Sequence, residues 1–309
     1  MPVVDLDLTP TGMHETTVEG KTFTLTSPAA FRGEICDFYS CSFFEESTHK
    51  PAGTAWERIL EDDEGTEYRS YLKVATAPSD SDLVENEAKI LTHLYPTDAK
   101  DEAFYRYFPR LLGSFQLRAR GITRQANILA VAEGYVSFAD ILKAYPDGID
   151  FRDAVWMYRR LLEGLGFVHS RGVVHGAILP CHVLIHPQTH GAKIIDWSYA
   201  VQGQHPIRAM SAAHLAFYAP EVRARRNATS VIDIYMAAKC FIALVGGDVA
   251  KNEMPASVPA EIKEFFARCL ADLRPHDAWD LYDQFDELLR RVVGKRKYRP
   301  FVMPTPNNV

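Results

Sequence analysis

The spacing of apolar residues along this chain changes period once, and that change limits the folds open to it. Up to about residue 130 they come in short β-branched and aromatic runs broken by turn signals: 'KTFTLTS', 'ICDFYSCSFF', 'AWERIL', 'EYRSYLKVAT' and 'ANILAVAE'. Such runs suit an antiparallel sheet. One segment interrupts them, 'SDLVENEAKILTHL', where Leu83, Glu87, Ile90, Leu91 and Leu94 fall at helical spacing and Asp80, Ser81 or Asp82 can cap the start. From about Ser137 the pattern is helical: 'SFADILKAY', then 'FRDAVWMYRRLLEGLGFVHS', ended by Gly172. The segment 'VIDIYMAAKCFIALVGG' is apolar nearly all round, as a central buried helix should be, and the amphipathic 'PAEIKEFFARCLA' and 'AWDLYDQFDELLRRVV' close the chain. The expectation is an α+β protein with a small antiparallel sheet lobe carrying one helix, a hinge near Glu133 to Ser137, and a larger, mainly helical lobe.

With 309 residues, 47% of them hydrophobic, the chain can bury a sizeable core in one large domain or two coupled lobes. Five cysteines, an odd number without a CxxC pair, argue for a reducing compartment. No basic leader with an apolar core and no apolar run near membrane-spanning length is visible, so a cytoplasmic protein without a membrane partner is expected. A net charge of −6 disfavours general nucleic-acid binding. Against that background 'RRVVGKRKYR' packs six basic residues between Arg290 and Arg299. It reads either as a solvated helix end or as a tail that docks an acidic protein partner.

Taken in order, the local patterns from about residue 22 to 292 resemble the protein kinase superfamily. Lys73 in 'YLKVA' matches that family's strand lysine for nucleotide phosphates, and Glu87 in 'ENEAKIL' its helical ion-pair partner. 'LLEGLGFVHSRGVVHG' resembles the approach to the catalytic loop, with His175 at the first position of the His-Arg-Asp triplet. Asp196 in 'AKIIDWSYA' matches the metal-binding aspartate of Asp-Phe-Gly, with Trp197 and Ser198 replacing the other two residues. Ala219, Pro220 and Glu221 reproduce the Ala-Pro-Glu motif; Asp233 matches the aspartate that braces the catalytic loop, and Arg274 the arginine that pairs with the Ala-Pro-Glu glutamate. Small-molecule kinases such as aminoglycoside phosphotransferases share a His-Gly opening like His175-Gly176, but they generally lack the Ala-Pro-Glu segment. The resemblance therefore implies the protein-kinase branch and its bilobal fold: an N-terminal extension over 1–20, an N-lobe over 21–134, a C-lobe over 135–292 and a basic, proline-containing tail over 293–309.

The loop itself departs from the family. Ala177, Leu179 and His182 stand where the general base, the phosphate-steadying lysine and the metal-binding asparagine belong. A methyl group cannot accept a proton, and a positioned base is typically worth about 10²- to 10⁴-fold in rate. The resemblance implies ATP with Mg²⁺ or Mn²⁺, held by Gly33, Lys73, Glu87, Glu133 and Asp196, with Asp196 as the metal ligand. The residues are divided on this: the glycine-rich GxGxxGxV pattern aligns with 'FRGEICDF', which keeps only Gly33, and His182 is a poor magnesium ligand. Cys181, His182, His186 and His190 also invite a zinc reading, although a strand at 'VLI' would send neighbouring side chains to opposite faces. Ser198, Tyr199 and Ser211 are possible phosphosites, and 'DVAKNEMPASV' is short where active protein kinases carry a further helix. The expected function is that of a pseudokinase, catalytically impaired and acting as a regulatory or binding module for a protein partner. The alternative is an atypical ATP-dependent transferase, of phosphoryl or adenylyl groups, using Lys73, Glu87 and Asp196.

Overall fold

A computed structural model of the chain describes residues 1–45, 66–95, 99–271 and 277–304. It divides into two units, Met1–Tyr105 with Pro109–Ala132, and Arg106–Phe108 with Glu133–Val309. The break falls at Ala132–Glu133.

The first unit is built on a seven-stranded sheet ordered β1-β6-β7-β5-β4-β3-β2, from β1 (Val3–Asp5), β2 (Gly12–Val18), β3 (Lys21–Arg32), β4 (Cys36–Glu45), β5 (Thr66–Ala75), β6 (Leu111–Ala119) and β7 (Ile122–Ala130). All neighbours are antiparallel except β1, which runs parallel to β6. The first twenty residues are thus no extension outside the lobe, because they supply both edge strands. Asp5 ties the β1 edge down by a two-pronged bond from Arg118 at 2.5 and 2.7 Å. Phe23, Leu25, Leu72, Phe115, Leu117 and Ile128 alternate inward along their strands to form the core. Helix α1 (Ser81–Leu94) packs its buried Leu83, Val84, Ile90, Leu91 and Leu94 on the sheet. Asp80 does sit at its N-cap, but the carboxylate accepts from Ala77 N instead of capping the helix. The expected strand 'AWERIL' lies outside the described residues.

The second unit opens with β8 (Val136–Ser137) and α2 (Phe138–Ala144), whose start is a reciprocal capping box between Ser137 and Asp140. Helix α3 (Phe151–Ser170) then leads through Gly172 to β9 (Val173–Val174), a loop, β10 (Val183–Ile185), β11 (Ala192–Ile194) and β12 (Val201–Gln202). After α4 (Pro220–Arg223), the buried helix α5 (Ser230–Leu244) and the amphipathic α6 (Ala260–Ala271) and α7 (Ala278–Val292) complete the unit. The core is aromatic: Phe241 stacks on Phe266 at 3.9 Å, and Tyr158 meets Phe266 and Phe285 edge-on at 4.7 and 5.2 Å. The short segment after α5 forms a turn closed by Asp248 and Glu253, with the Lys239 ammonium donating to Val249 O and Asn252.

Residues 293–304 are largely exposed, but they are tied to the second unit at several points. They fold back as a strap on the second unit. Tyr298 donates to Gln188 O, Arg299 O accepts from His190, Arg299 pairs with Asp150 and Asp153, and Phe301 is buried.

Two glycines of α3 admit rings against the helix backbone: Gly164 takes Tyr107, and Gly166 takes Trp279 at the start of α7. Alanine at Gly166 would gain about 1 kcal/mol of helix propensity, but its Cβ would lie 2.6 Å from a ring atom that cannot yield. Overpacking of that kind costs about 1–3 kcal/mol. Gly166→Ala is therefore expected to lower the thermal midpoint by several degrees, and a raised midpoint would show that α7 is free to shift.

Candidate functional site

In the first unit, Lys73 lies on the central strand β5 and Glu87 on α1, and they meet as expected: Lys73 Nζ donates to Glu87 Oε1 at 3.0 Å, with exposures of 1% and 0%. The other carboxylate oxygen accepts from Asn127 Nδ2 at 3.1 Å, and Asn127 stands directly across from Lys73 in the β5–β7 register. Asn127 also donates to Val84 O of α1 and accepts from Ser114 on β6. The result is a polar strut from helix to sheet, in which each buried charge is matched. Asn127 escaped the sequence reading; its register opposite Lys73 was the signal for it.

Above Lys73, on the neighbouring β4, Phe38 occupies the opposing register position, and its ring centroid lies 5.8 Å from the ammonium. Phe31, at the first glycine position of the family loop, stacks on Phe38 at 4.2 Å, and Tyr71 meets both rings edge-on. The one retained glycine, Gly33, makes the turn between β3 and β4 and donates to Cys36 O. Aromatic rings thus stand on the Lys73 side of the sheet where the family pattern calls for bare backbone.

In the second unit the degenerate loop is organised by Asp233, fully buried in the first turn of α5. Its Oδ2 accepts from His175 N and its Oδ1 from Gly176 N, both at 2.8 Å, and His169 Nε2 lies 3.0 Å from Oδ2. Gly176 has φ +74°, and a Cβ there would meet Ile207 at 2.7 Å, so no larger residue fits without rearrangement. The buried His175 donates from Nε2 to Ile195 O and accepts at Nδ1 from Ala177 N, which defines a neutral imidazole. Burial pushes its pKa down to about 4, against the pull of Asp233. Ala177, Ile178 and Leu179 are all buried, with no side-chain oxygen or nitrogen at the positions of the family's base and lysine.

His182 follows these residues at the start of β10, where Ile195 N bonds to its carbonyl and so sets its side chain next to Asp196. Both ring nitrogens face acceptors: Nδ1 lies 2.9 Å from Ala177 O, and Nε2 lies 3.2 Å from Asp196 Oδ2. Only the imidazolium can donate at both. Burial alone would push its pKa down, but the Asp196 charge, with help from Cys181 and the Ala177 carbonyl, raises it to about 9. Asp196 itself holds the left-handed conformation, φ 61° and ψ 71°. The next residue, Trp197, is fully buried, donates to Ile194 O and meets His175 edge-on at 4.5 Å.

The remaining expected site residues are dispersed. Glu133 begins the second unit, in a turn with Gly134. Glu221 lies in α4, and its Oε2 is buried without a hydrogen-bond partner among the described residues; its expected partner Arg274 lies outside them. The zinc reading fails on placement, since His186 packs on Tyr135 while His190 stacks between Trp156 and Tyr298. Ser198, Tyr199 and Ser211 are all buried, which removes them as ready phosphosites. No described helix is long and apolar enough to cross a membrane.

Known proteins place these features in a family. The sequence profile of the protein kinase domain matches residues 118–296. The chain is 24% identical over 212 residues to mitogen-activated protein kinase kinase kinase 17 of Arabidopsis thaliana, covering 62% of this chain and 54% of that protein. It is 27% identical over 114 residues to calcium/calmodulin-dependent protein kinase type 1 of Caenorhabditis elegans, covering 36% and 33%. It is 29% identical over 82 residues to the probable casein kinase II subunit alpha homolog of Encephalitozoon cuniculi (strain GB-M1), covering 26% and 25%. The chain thus spans between a quarter and about half of these relatives' lengths. Among solved structures, the BubR1 kinase domain superposes with a TM-score of 0.62 at 13% identity, covering 94% of this chain and 86% of that one, a likeness of fold. With a sheet-rich first unit, a helical second unit and a profile match over more than half its length, this chain belongs to the protein kinase domain family.

Proposed function

We propose that this chain is a pseudokinase, a cytoplasmic kinase-fold module that works by binding a protein partner and not by phosphoryl transfer. The observation that carries this reading is the pair of contacts made by the His182 ring, Nδ1 to Ala177 O and Nε2 to Asp196 Oδ2. One imidazolium cross-ties the base position, where the Ala177 side chain has no proton acceptor, to the carboxylate that would hold the metal. A magnesium–nucleotide complex fits these residues poorly: a divalent ion at Asp196 would face a cation already 3.2 Å from Oδ2, and imidazole is no substitute for an oxygen ligand. In the first unit, Lys73 is almost fully buried beneath Phe38 and is held by Glu87. The same Lys73–Glu87 pair is what favours the second reading, an atypical ATP-dependent transferase, and the strut through Asn127 offers a structural reason for its presence.

Purified protein incubated with ATP and Mg²⁺ or Mn²⁺ is expected to show no phosphate or AMP adduct on itself or on generic substrates by mass spectrometry. Turnover near the roughly 1–100 s⁻¹ of protein kinases would overturn the proposal. His182→Asn supplies an oxygen ligand and releases Asp196, so divalent metal should stabilise the variant against heat more than the wild type. Equal stabilisation of both would refute the cross-tie.

The two loop histidines set a pH optimum for stability. His182 has its pKa raised to about 9 by folding, so its contribution is complete below the unfolded value of roughly 6.5 and is lost as pH rises through about 9. His175 has its pKa lowered to about 4, so stability falls as pH drops from roughly 6.5 toward that value. In urea titrations, the stability difference between wild type and His182→Asn should shrink by on the order of 3 kcal/mol between neutral and strongly alkaline pH. A difference that does not change with pH would exclude the imidazolium.

Lys73→Met leaves Glu87 charged and buried without its cation, and should cost about 3–5 kcal/mol. The double variant Lys73→Met/Glu87→Leu should recover much of that in a thermal melt, as expected for a strut. If it recovers nothing, Lys73 has a role apart from Glu87.

A further inference from the structure

Between the C-terminal strap and the helices of the second unit lies a cleft of about 960 Å³, open to solvent on one side and lined by α3, α7, His190 and residues 294–299. Small-molecule sites commonly fall between about 300 and 1,000 Å³. The lining is far from neutral: it carries eight arginines and lysines and two carboxylates, Glu163 and Asp286, and although Asp150 and Asp153 take up Arg152 and Arg299, an excess of positive charge remains on a chain whose net charge is −6. Asp286 is nearly fully buried, and its single negative charge is shared by three guanidinium groups, those of Arg159, Arg290 and Arg296, at 3.0, 2.7 and 2.5 Å. Glu163 is taken by Arg160 at 2.8 Å. Three cations around one anion leave positive charge that the protein does not compensate there. Two donors along the same wall, Trp156 Nε1 and Arg159 Nε, are buried without an acceptor among the described residues.

We infer that this cleft is a binding site for a small molecule carrying a chain of phosphates. Guanidinium forks match phosphate oxygens in pairs, and such charge-assisted bonds are the strong ones. The cleft walls come from three stretches far apart in sequence, so an occupied site would fasten the strap to both helices. The site lies wholly within the second unit and does not depend on the kinase loop, so it stands apart from the reading of that loop.

The test is calorimetric titration of the full chain with sodium tripolyphosphate at physiological ionic strength, with ATP and adenosine as comparators. Saturable one-to-one binding is expected. The variant Arg290→Gln/Arg296→Gln should bind at least about tenfold more weakly, since a hydrogen bond to a charged group is worth roughly 1.5–3 kcal/mol and tenfold is about 1.4. It leaves Arg159 on Asp286 and changes two side chains more than half exposed, so folding should be preserved, as a thermal melt will verify. Arg225→Gln/Arg226→Gln removes the same charge at another exposed position and should bind as wild type does. ATP binding like tripolyphosphate, and equally weakened in the pocket variant, would mean that a free phosphate chain is read; tighter ATP with the same sensitivity would mean a nucleoside-linked one. Absence of saturable binding, binding indifferent to the pocket variant, or equal loss in the control variant would each overturn the inference.

Discussion

A carboxylate with no access to water must be satisfied by the chain, and in this protein the path of the central loop follows from how Asp233 is satisfied. Its two oxygens take the backbone N–H groups of His175 and Gly176, and His169 from the end of α3 completes the set. Helix α5 is thereby locked to the end of α3 and to the loop that follows β9. The bonds also impose the left-handed turn at Gly176, which Ile207 closes from the other side. Once that turn is made, Ala177 to Leu179 can only run inward, and the chain emerges at His182 beside Asp196. The brace therefore comes first, and the replaced residues hang from it.

Two ion pairs, one fully buried and one partly exposed, hold carboxylates in the two units. Lys73–Glu87 is retained, and its polar neighbours Asn127 and Ser114 make it a complete strut between helix and sheet. His182–Asp196 has a different origin, because a side chain at the position of a metal ligand has itself become the cation. In both cases the carboxylate has a partner built into the chain. Removing Lys73 would leave the Glu87 carboxylate buried without its cation, whereas Asp196, about a fifth exposed, would keep access to water.

The sequence revealed most where a period or an ordered set of motifs repeated. The expected helices over 'SDLVENEAKILTHL' and 'FRDAVWMYRRLLEGLGFVHS' match α1 and α3, because each turns a consistent apolar face to the core. Strands β1, β2 and β6 escaped notice. The three residues of β1 are too few to show a period, and β2 buries only two of seven residues fully. Lys73 with Glu87, and Asp233 with the loop, were legible as motifs. The partners that give them their physical meaning were not: Asn127 acts through cross-strand register, and His182 through the approach of β10 to Asp196. Nor could the strap be foreseen, since Arg299 meets Asp150 across 149 residues and spacing says nothing at that distance.

Active sites usually keep polar groups unsatisfied or strained, ready for a substrate, and lose stability by doing so. This loop runs the other way. The nitrogens of His175 and His182 and the oxygens of Asp233 are matched within the protein, and the positions of the base and the lysine are filled by buried apolar side chains. Asp196 keeps its left-handed backbone, a conformation costly for a non-glycine residue, but its carboxylate has the His182 imidazolium as recompense. A loop closed in this way gains rigidity from Ala177, Leu179 and His182, the residues at which it departs from the family pattern. Asp233, Gly176 and the helices they join are held in place by these internal bonds, with no contribution needed from a ligand.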